Sequence, residues 1–270
     1  MAASDCSQQR GGTSPAPTRG SAPLVLAAIG SFFLWALIGI LTIAFSLVII
    51  VCAVLLWPVD PQRRIAHRLA SLWGRAVFWS NPSWRLSVSG REHLDPRTAY
   101  VFVANHQSLL DIMALFALRR QFKWIAKREL FAIPLLGWAM ALVGYIKLSR
   151  GQHGSIRETY DRARRWLFSG MSVLFFPEGT RSLTGEIGPF KNGAFKLAME
   201  TATPVVPIIV SGTRDLLMRG SWLFRCGSRV QITVLPPLDP ATYHSSEPER
   251  LRDETRRLMQ TILQRLSPSA

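Results

Sequence analysis

Tyr100-Val101-Phe102-Val103-Ala104-Asn105-His106-Gln107-Ser108-Leu109-Leu110-Asp111-Ile112-Met113-Ala114-Leu115-Phe116-Ala117-Leu118 is the stretch on which the reading of this chain turns. The apolar run 100–104 reads as a buried strand, and residues 112–118 read as a helix. A histidine and an aspartate therefore sit where a strand ends and a helix begins. In open α/β sheets that is where ligands bind. Inside one ideal helix, residues five apart would point in different directions, because a turn takes about 3.6 residues. With His106 in the turn and Asp111 in the first helical turn, the two can face each other. A neutral imidazole held by a carboxylate is a general base that works near neutral pH. Spacing alone does not make such a pair catalytic, since most are surface or capping residues.

Outward from this stretch, strand and helix patterns alternate. Residues 85–89, 122–126, 173–176, 205–210 and 229–235 read as further strands. The apolar stretch 130–143 reads as helical, interrupted by Pro134 and Gly137. Ile156, Tyr160, Ala163 and Leu167 share one face of an Arg-rich helix ended by Gly170. Leu251, Thr255, Leu258, Ile262 and Leu266 mark a C-terminal amphipathic helix. Strands interleaved with helices argue for an α/β layered domain. No internal repeat is present.

The strand at 173–176 leads into Phe175-Phe176-Pro177-Glu178-Gly179-Thr180-Arg181-Ser182. Composition alone makes this an ordinary turn with a surface ion pair between Glu178 and Arg181. Together with Asn105-His106-x4-Asp111, however, it resembles the glycerolipid (lysophospholipid) acyltransferase family, which includes the 1-acyl-sn-glycerol-3-phosphate acyltransferases. That family carries Asn-His-x4-Asp followed by Phe-Pro-Glu-Gly-Thr-Arg-Ser, and both blocks stand here complete and in order. Two weaker blocks also match, Gly144-Tyr145-Ile146-Lys147-Leu148-Ser149-Arg150 and Val205-Val206-Pro207-Ile208. The first departs from the Phe-Ile or Phe-Val common in the family. The likeness covers roughly residues 84–234.

The resemblance implies an α/β layered domain with a mixed central sheet flanked by helices. It also implies roles. His106 would take the proton of an acceptor hydroxyl and return it to the leaving thiolate, and Asp111 would fix the imidazole tautomer. The loop containing Glu178, Gly179, Thr180 and Arg181 would hold the acceptor phosphate, with Gly179 allowing close backbone approach and Arg181 offering a planar fork. Arg150 would contact the glycerol phosphate. Asn105 would orient the turn or bind substrate, and Lys127 is a weaker substrate-binding candidate beside the reading of a solvated lysine. Ser108 is the nearest protein hydroxyl. It reads as a helix cap rather than a nucleophile, because the Gly-x-Ser-x-Gly elbow of many hydrolases is missing. The apolar residues Leu130, Phe131, Leu135, Leu136 and Trp138 would line an acyl groove, dip into lipid, or pack in the core.

The whole chain sets the surroundings. With 32 Lys and Arg against 17 Asp and Glu, the formal charge is +15, which attracts polyanions. No zinc-finger or RNA-binding signature is present, and the apolar N-terminus favours a membrane over nucleic acid as partner. Residues 1–21 read as a disordered tail. Residues 24–57 carry no charge, and about 34 residues of helix would reach about 51 Å against a hydrocarbon thickness of about 30 Å. A cleaved signal has an apolar core of only about 7–15 residues, so residues 22–58 read as a membrane segment. This is one long tilted helix or a re-entrant pair broken near Gly30 or Gly39. Residues 59–82 read as a basic amphipathic helix, with Ile65, Leu69, Leu72, Trp73, Ala76 and Val77 on one face. Such a helix lies in the membrane interface or packs on its own domain. Arg63, Arg64, Arg68 and Arg75 put the C-terminal side, and the domain at 83–270, in the cytoplasm.

The expected protein is therefore a cell-membrane acyltransferase. It would move a fatty acyl group from acyl-CoA or acyl carrier protein to the sn-2 hydroxyl of 1-acylglycerol-3-phosphate, giving phosphatidic acid. Another lysolipid, such as lyso-ornithine lipid, is the alternative acceptor, and a non-catalytic lipid-binding membrane protein is the alternative class. No cofactor is expected beyond the thioester co-substrate. No metal is expected either, since His67, His93, His153 and His244 lack ligand spacing and read as lone surface histidines. Cys6, Cys52 and Cys226 form no disulfide framework. No pattern in the chain bears on oligomeric state.

Overall fold

The computed structural model describes residues 21–149, 153–225, 227–243 and 247–266. Residues 1–20 of the expected tail, and Arg150, Cys226 and His244, lie outside them, as does the side chain of His153. In chain order the helices are α1 (Ser21–Leu55), α2 (Arg64–Trp79), α3 (Asp111–Leu115), α4 (Arg128–Phe131), α5 (Leu136–Val143), α6 (His153–Phe168), α7 (Gly193–Glu200), α8 (Thr213–Leu216) and α9 (Pro248–Leu266). The strands are β1 (Arg85–Ser89), β2 (Val101–Ala104), β3 (Phe122–Lys127), β4 (Ile146–Leu148), β5 (Ser172–Phe175), β6 (Val205–Ser211) and β7 (Arg229–Val234).

The strands form one seven-stranded sheet in the order β1-β7-β6-β2-β5-β3-β4. Among the described strand pairs only β6–β7 is antiparallel, so the sheet is mixed, as the resemblance implied. β2 and β5 lie in its middle and are buried at every position. A parallel strand covered on both faces reads as a continuous apolar run rather than an alternating one, which is why 100–104 and 173–176 were legible. Each large apolar side chain taken fully out of water there contributes about 1.5–3 kcal/mol. β4 and α7 are additions that periodicity did not reveal, being only 3 and 8 residues long.

One face of the sheet is covered by α6, α7 and α9, through Ala163, Leu167, Phe195, Leu251 and Met259. The other face is covered by α2, α3 and α5, and α1 joins that core through Leu34, Ile38, Ile49 and Ala53. The helix α1 runs unbroken through Gly30 and Gly39, so the broken pair is not formed. Nor does α1 stand clear of the domain. Trp35 Nε1 donates to Trp222 O at 2.8 Å, and Trp73 Nε1 donates to Thr42 Oγ1 at 3.1 Å. Its opposite side stays exposed, with Phe32, Phe33, Ile40 and Val51 in solvent contact.

The helix α2 corrects the expected helical face. Its buried residues are Ala66, His67, Ala70, Gly74, Val77 and Phe78, while Ile65, Leu72 and Trp79 are exposed. Small residues let the backbone come close, and a Cβ at Gly74 would stand 2.5 Å from Phe116 Cδ2. The packed face thus combines close approach at Ala66, Ala70 and Gly74 with the large side chains of Val77 and Phe78, while the expected Leu69 and Trp73 pack partly against it. Residues of α1 and α2 share one core with the sheet.

His67 is a second correction. It is fully buried rather than a surface residue, with Nε2 3.1 Å from Arg120 O and Nδ1 3.2 Å from Tyr145 Oη. Burial, with Lys123 nearby, lowers its pKa from 6.5 to about 3. Lys123 is itself buried and donates to Val143 O at 2.8 Å. Burial lowers its pKa to about 7.

Candidate active site

The two sequence blocks lie 70 residues apart, and the sheet brings them together. β2 and β5 are parallel neighbours, with Val101 opposite Val173 and Val103 opposite Phe175. Their C-terminal ends therefore emerge side by side, and the loops that follow them meet. The two loops are joined at His106. Its amide donates to Glu178 Oε1 at 2.9 Å, and its carbonyl accepts from Ser182 N at 2.7 Å. The ends of β3 and β6, carrying Lys127 and Ser211, open on the same edge of the sheet.

His106 and Asp111 face each other, with Nδ1 2.7 Å from Asp111 Oδ2. The same oxygen accepts from the amides of Gln107 and Ser108 at 2.6 and 2.9 Å. The other carboxylate oxygen accepts from Thr213 Oγ1 at 2.5 Å. An ionised carboxylate can only accept, so the proton of the pair sits on Nδ1 and the lone pair on Nε2. Among the described residues nothing bonds to Nε2. The imidazole is stacked on Phe176, with ring centroids 4.2 Å apart and planes at 23°.

His106 opens on a cavity of about 540 Å³. Its apolar lining includes Leu109, Ile112, Trp124, Ile125, Leu130, Leu148 and Phe175. Its remaining walls carry Gly179, Thr180, Arg181, Lys127, Lys191 and Arg219. Among the described residues four cations and no carboxylate line it, which suits an anionic headgroup joined to an acyl chain. Gly179 has φ +70°, a conformation that costs side-chain-bearing residues, and a Cβ there would lie 3.1 Å from Lys191 Nζ. Arg219 Nη1 donates to Arg181 O at 2.7 Å, tying the loop after α8 to the cavity wall. Of the apolar stretch 130–143, only Leu130 reaches the cavity, whereas Ile133 and Trp138 are exposed.

Three expected substrate contacts or caps turn out to have other partners. Asn105 is buried and does not line the cavity. Its amide group donates to Val210 O at 2.9 Å and accepts from Val210 N at 2.8 Å, stitching the end of β2 to β6. These bonds hold the turn that carries His106 in place. Glu178 forms no ion pair with Arg181. It accepts from the His106 amide and, at 3.1 Å, from the Gly188 amide, so it braces the loop. Burial raises its pKa, and the hydrogen bonds from the His106 and Gly188 amides oppose that rise. Ser108 is buried, and its hydroxyl donates to Leu217 O at 2.8 Å. The N-cap position of α3 is Leu110; Asp111 takes up the amides of Gln107 and Ser108, while the Ser108 hydroxyl accepts from the Leu110 amide at 3.4 Å. Lys127 is exposed on the cavity rim.

Sequence reasoning missed Thr213, Phe176 as a stacking partner, Lys191 and Arg219. Lys191 carried a faint signal, since it lies in Gly188-Pro189-Phe190-Lys191-Asn192-Gly193, a turn-rich stretch soon after the Arg181 loop. Arg219 and Thr213 carried none. Among the described residues no group of three or more His, Cys, Asp or Glu side chains is placed to hold a metal.

A model of the acyltransferase family matches residues 85–211. A 1-acyl-sn-glycerol-3-phosphate acyltransferase of Chlamydomonas reinhardtii is 38% identical over 231 residues, covering 84% of this chain and 69% of that protein. The mouse 1-acyl-sn-glycerol-3-phosphate acyltransferase alpha is 36% identical over 185 residues, covering 68% of this chain and 65% of its own. The chain spans about half of a chloroplastic relative from Brassica napus, 55% of its length at 37% identity over 196 residues that make up 72% of this chain. Among solved structures, the 1-acyl-sn-glycerophosphate (LPA) acyltransferase PlsC from Thermotoga maritima superposes with a TM-score of 0.79 at 25% identity. That match covers 92% of this chain and 98% of that one.

Proposed function

Because this chain belongs to the acyltransferase family, we propose that it transfers an acyl group from a thioester carrier to the sn-2 hydroxyl of a 1-acyl-sn-glycerol-3-phosphate, giving phosphatidic acid. The observation that carries the reading is the His106–Asp111 couple facing an apolar cavity rimmed by Lys127, Arg181, Lys191 and Arg219. The acceptor hydroxyl attacks the thioester carbonyl while Nε2 of His106 takes its proton. The tetrahedral intermediate then collapses, the C–S bond breaks, and the proton passes from His106 to the departing thiolate. Asp111 keeps the proton on Nδ1 and stabilises the imidazolium between these steps. A positioned base of this kind contributes about 10²–10⁴ in rate. Arg181 pairs with the acceptor phosphate, a role the family likeness also implies for Arg150. The thioester supplies all the energy the step needs, so no further cofactor enters. Ser108 does not compete as nucleophile, because its hydroxyl is buried against Leu217 O.

The acceptor is a membrane lipid, and the exposed apolar side of α1 supports a membrane location. Within Leu24–Leu55 the helix has an 18-residue window with a mean hydropathy of 3.0. Since its other side is taken up by α2, α5 and the loop at Trp222, it is the outer face that enters lipid. Arg64 and Arg68 on α2 then lie near the headgroups, on the cytoplasmic side, where each adds about 1 kcal/mol of attraction to anionic lipid.

The test is to offer the purified full-length protein a panel of lysolipids with labelled acyl-CoA or acyl carrier protein. Labelled phosphatidic acid made by wild type, and not by His106→Ala, is expected. Acyl transfer only to another lysolipid would reassign the acceptor, and release of free fatty acid without transfer would make the protein a hydrolase.

A further inference from the structure

We propose that Thr213 is a positioning residue for acyl transfer, the group that locks the Asp111 carboxylate in the plane from which it orients His106. The inference rests on the acyl-transfer reading above. Three donors converge on Asp111 Oδ2: His106 Nδ1 and the amides of Gln107 and Ser108. The carboxylate torsion of an aspartate is broad and roughly two-fold, so contacts on one oxygen leave it free to rock. The hydroxyl of Thr213 supplies the second fixed point, 2.5 Å from Oδ1. Thr213 and Asp111 are both fully buried. In such a place a carboxylate oxygen needs a partner from the protein itself.

Thr213 is held in turn. It opens α8 directly after β6, and its carbonyl accepts from Leu217 N at 3.1 Å. The carbonyl of Leu217 accepts from Ser108 Oγ at 2.8 Å. The segment 213–217 is therefore bonded twice to the turn that carries His106 and Asp111, once through each end. Thr213 touches no substrate surface, since it does not line the cavity, and it lies beyond the 85–211 match to the family. Its effect passes through Asp111 alone.

The experiment measures kcat and both KM values for the full-length protein in detergent micelles, with 1-acylglycerol-3-phosphate and acyl-CoA as substrates. Thr213→Val, nearly the same shape without a donor, should lower kcat by about tenfold, the scale seen when an orienting outer-shell hydrogen bond is removed. Both KM values should stay unchanged, and Thr213→Ser should recover most of kcat. In an Asp111→Ala background, adding Thr213→Val should change the residual rate no further, as expected of two residues acting as one unit. Should Thr213→Val fail to fold, Thr213→Cys carries the same comparison with a much weaker donor. A folded Thr213→Val enzyme with wild-type kcat overturns the proposal, as do a Thr213→Ser enzyme no better than the valine variant and an equal loss added on top of Asp111→Ala. If His106→Ala and Asp111→Ala themselves keep full turnover, it is the acyl-transfer assignment of the site that fails, a result distinct from the failure of Thr213 alone.

Discussion

Asp111→Asn should leave the protein folded and remove about 10³ in kcat. The side chain is fully buried and accepts four hydrogen bonds, three on Oδ2 and one on Oδ1. An asparagine can satisfy all four if its oxygen takes the position of Oδ2 and its amide faces Thr213, whose hydroxyl can rotate to accept. What disappears is the charge. The 2.7 Å contact between His106 Nδ1 and Asp111 Oδ2 puts the centres of imidazolium and carboxylate about 4 Å apart. With an effective dielectric of about 20, the attraction lost is about 4 kcal/mol. That attraction exists only once His106 has taken the hydroxyl proton, so it acts on the transition state and not on bound substrate. At about 1.4 kcal/mol per decade the loss is about 10³. Asp111 does not line the cavity, so neither KM should change. Initial rates of acyl transfer to 1-acylglycerol-3-phosphate, with thermal unfolding as the fold control, measure both quantities. A folded Asp111→Asn protein that keeps more than about a tenth of wild-type kcat would refute this account of the pair.

Three further outcomes follow from the same geometry. Arg181→Ala should raise KM for 1-acylglycerol-3-phosphate about 10- to 100-fold, the worth of a charged hydrogen bond of about 1.5–3 kcal/mol, while KM for the acyl donor holds; steady-state kinetics with each substrate varied in turn checks this. His67 has its pKa lowered from 6.5 to about 3 in the fold, so between those values the unfolded chain binds a proton that the folded one does not. Stability is fully present above about pH 6.5 and declines by up to about 5 kcal/mol as pH falls through that window. Denaturant titrations should show this slope flattened in His67→Gln, and an unchanged slope would mean that His67 is not the group responsible. Phe33→Asp with Ile40→Asp, both on the exposed side of α1, should abolish flotation with anionic vesicles without lowering the melting temperature, whereas the same pair of changes would leave flotation intact if α1 did not meet lipid.

The chain by itself determined much of this protein. Central strands were legible because burial on both faces makes 100–104 and 173–176 uniformly apolar. The long helices α6 and α9 were legible because they repeat their apolar positions at helical period. The pairing of His106 with Asp111 was legible because both lie in one strand-to-helix turn, where spacing in sequence still fixes distance in space. Tertiary structure decided the rest. That β2 neighbours β5 brings Glu178 onto the His106 amide and turns an expected substrate contact into a brace. That β6 lies on the other side of β2 takes Asn105 out of the cavity and puts Thr213 on Asp111, 102 residues away in sequence. Part of the packed face of α2 went to Ala66, Ala70 and Gly74, since closeness between helices depends on what is absent from a side chain, and hydrophobic pattern registers only what is present. Sequence encodes which residues leave water and with what period. Which groups then meet depends on strand order and on the fit of surfaces far apart along the chain, and no local pattern carries either.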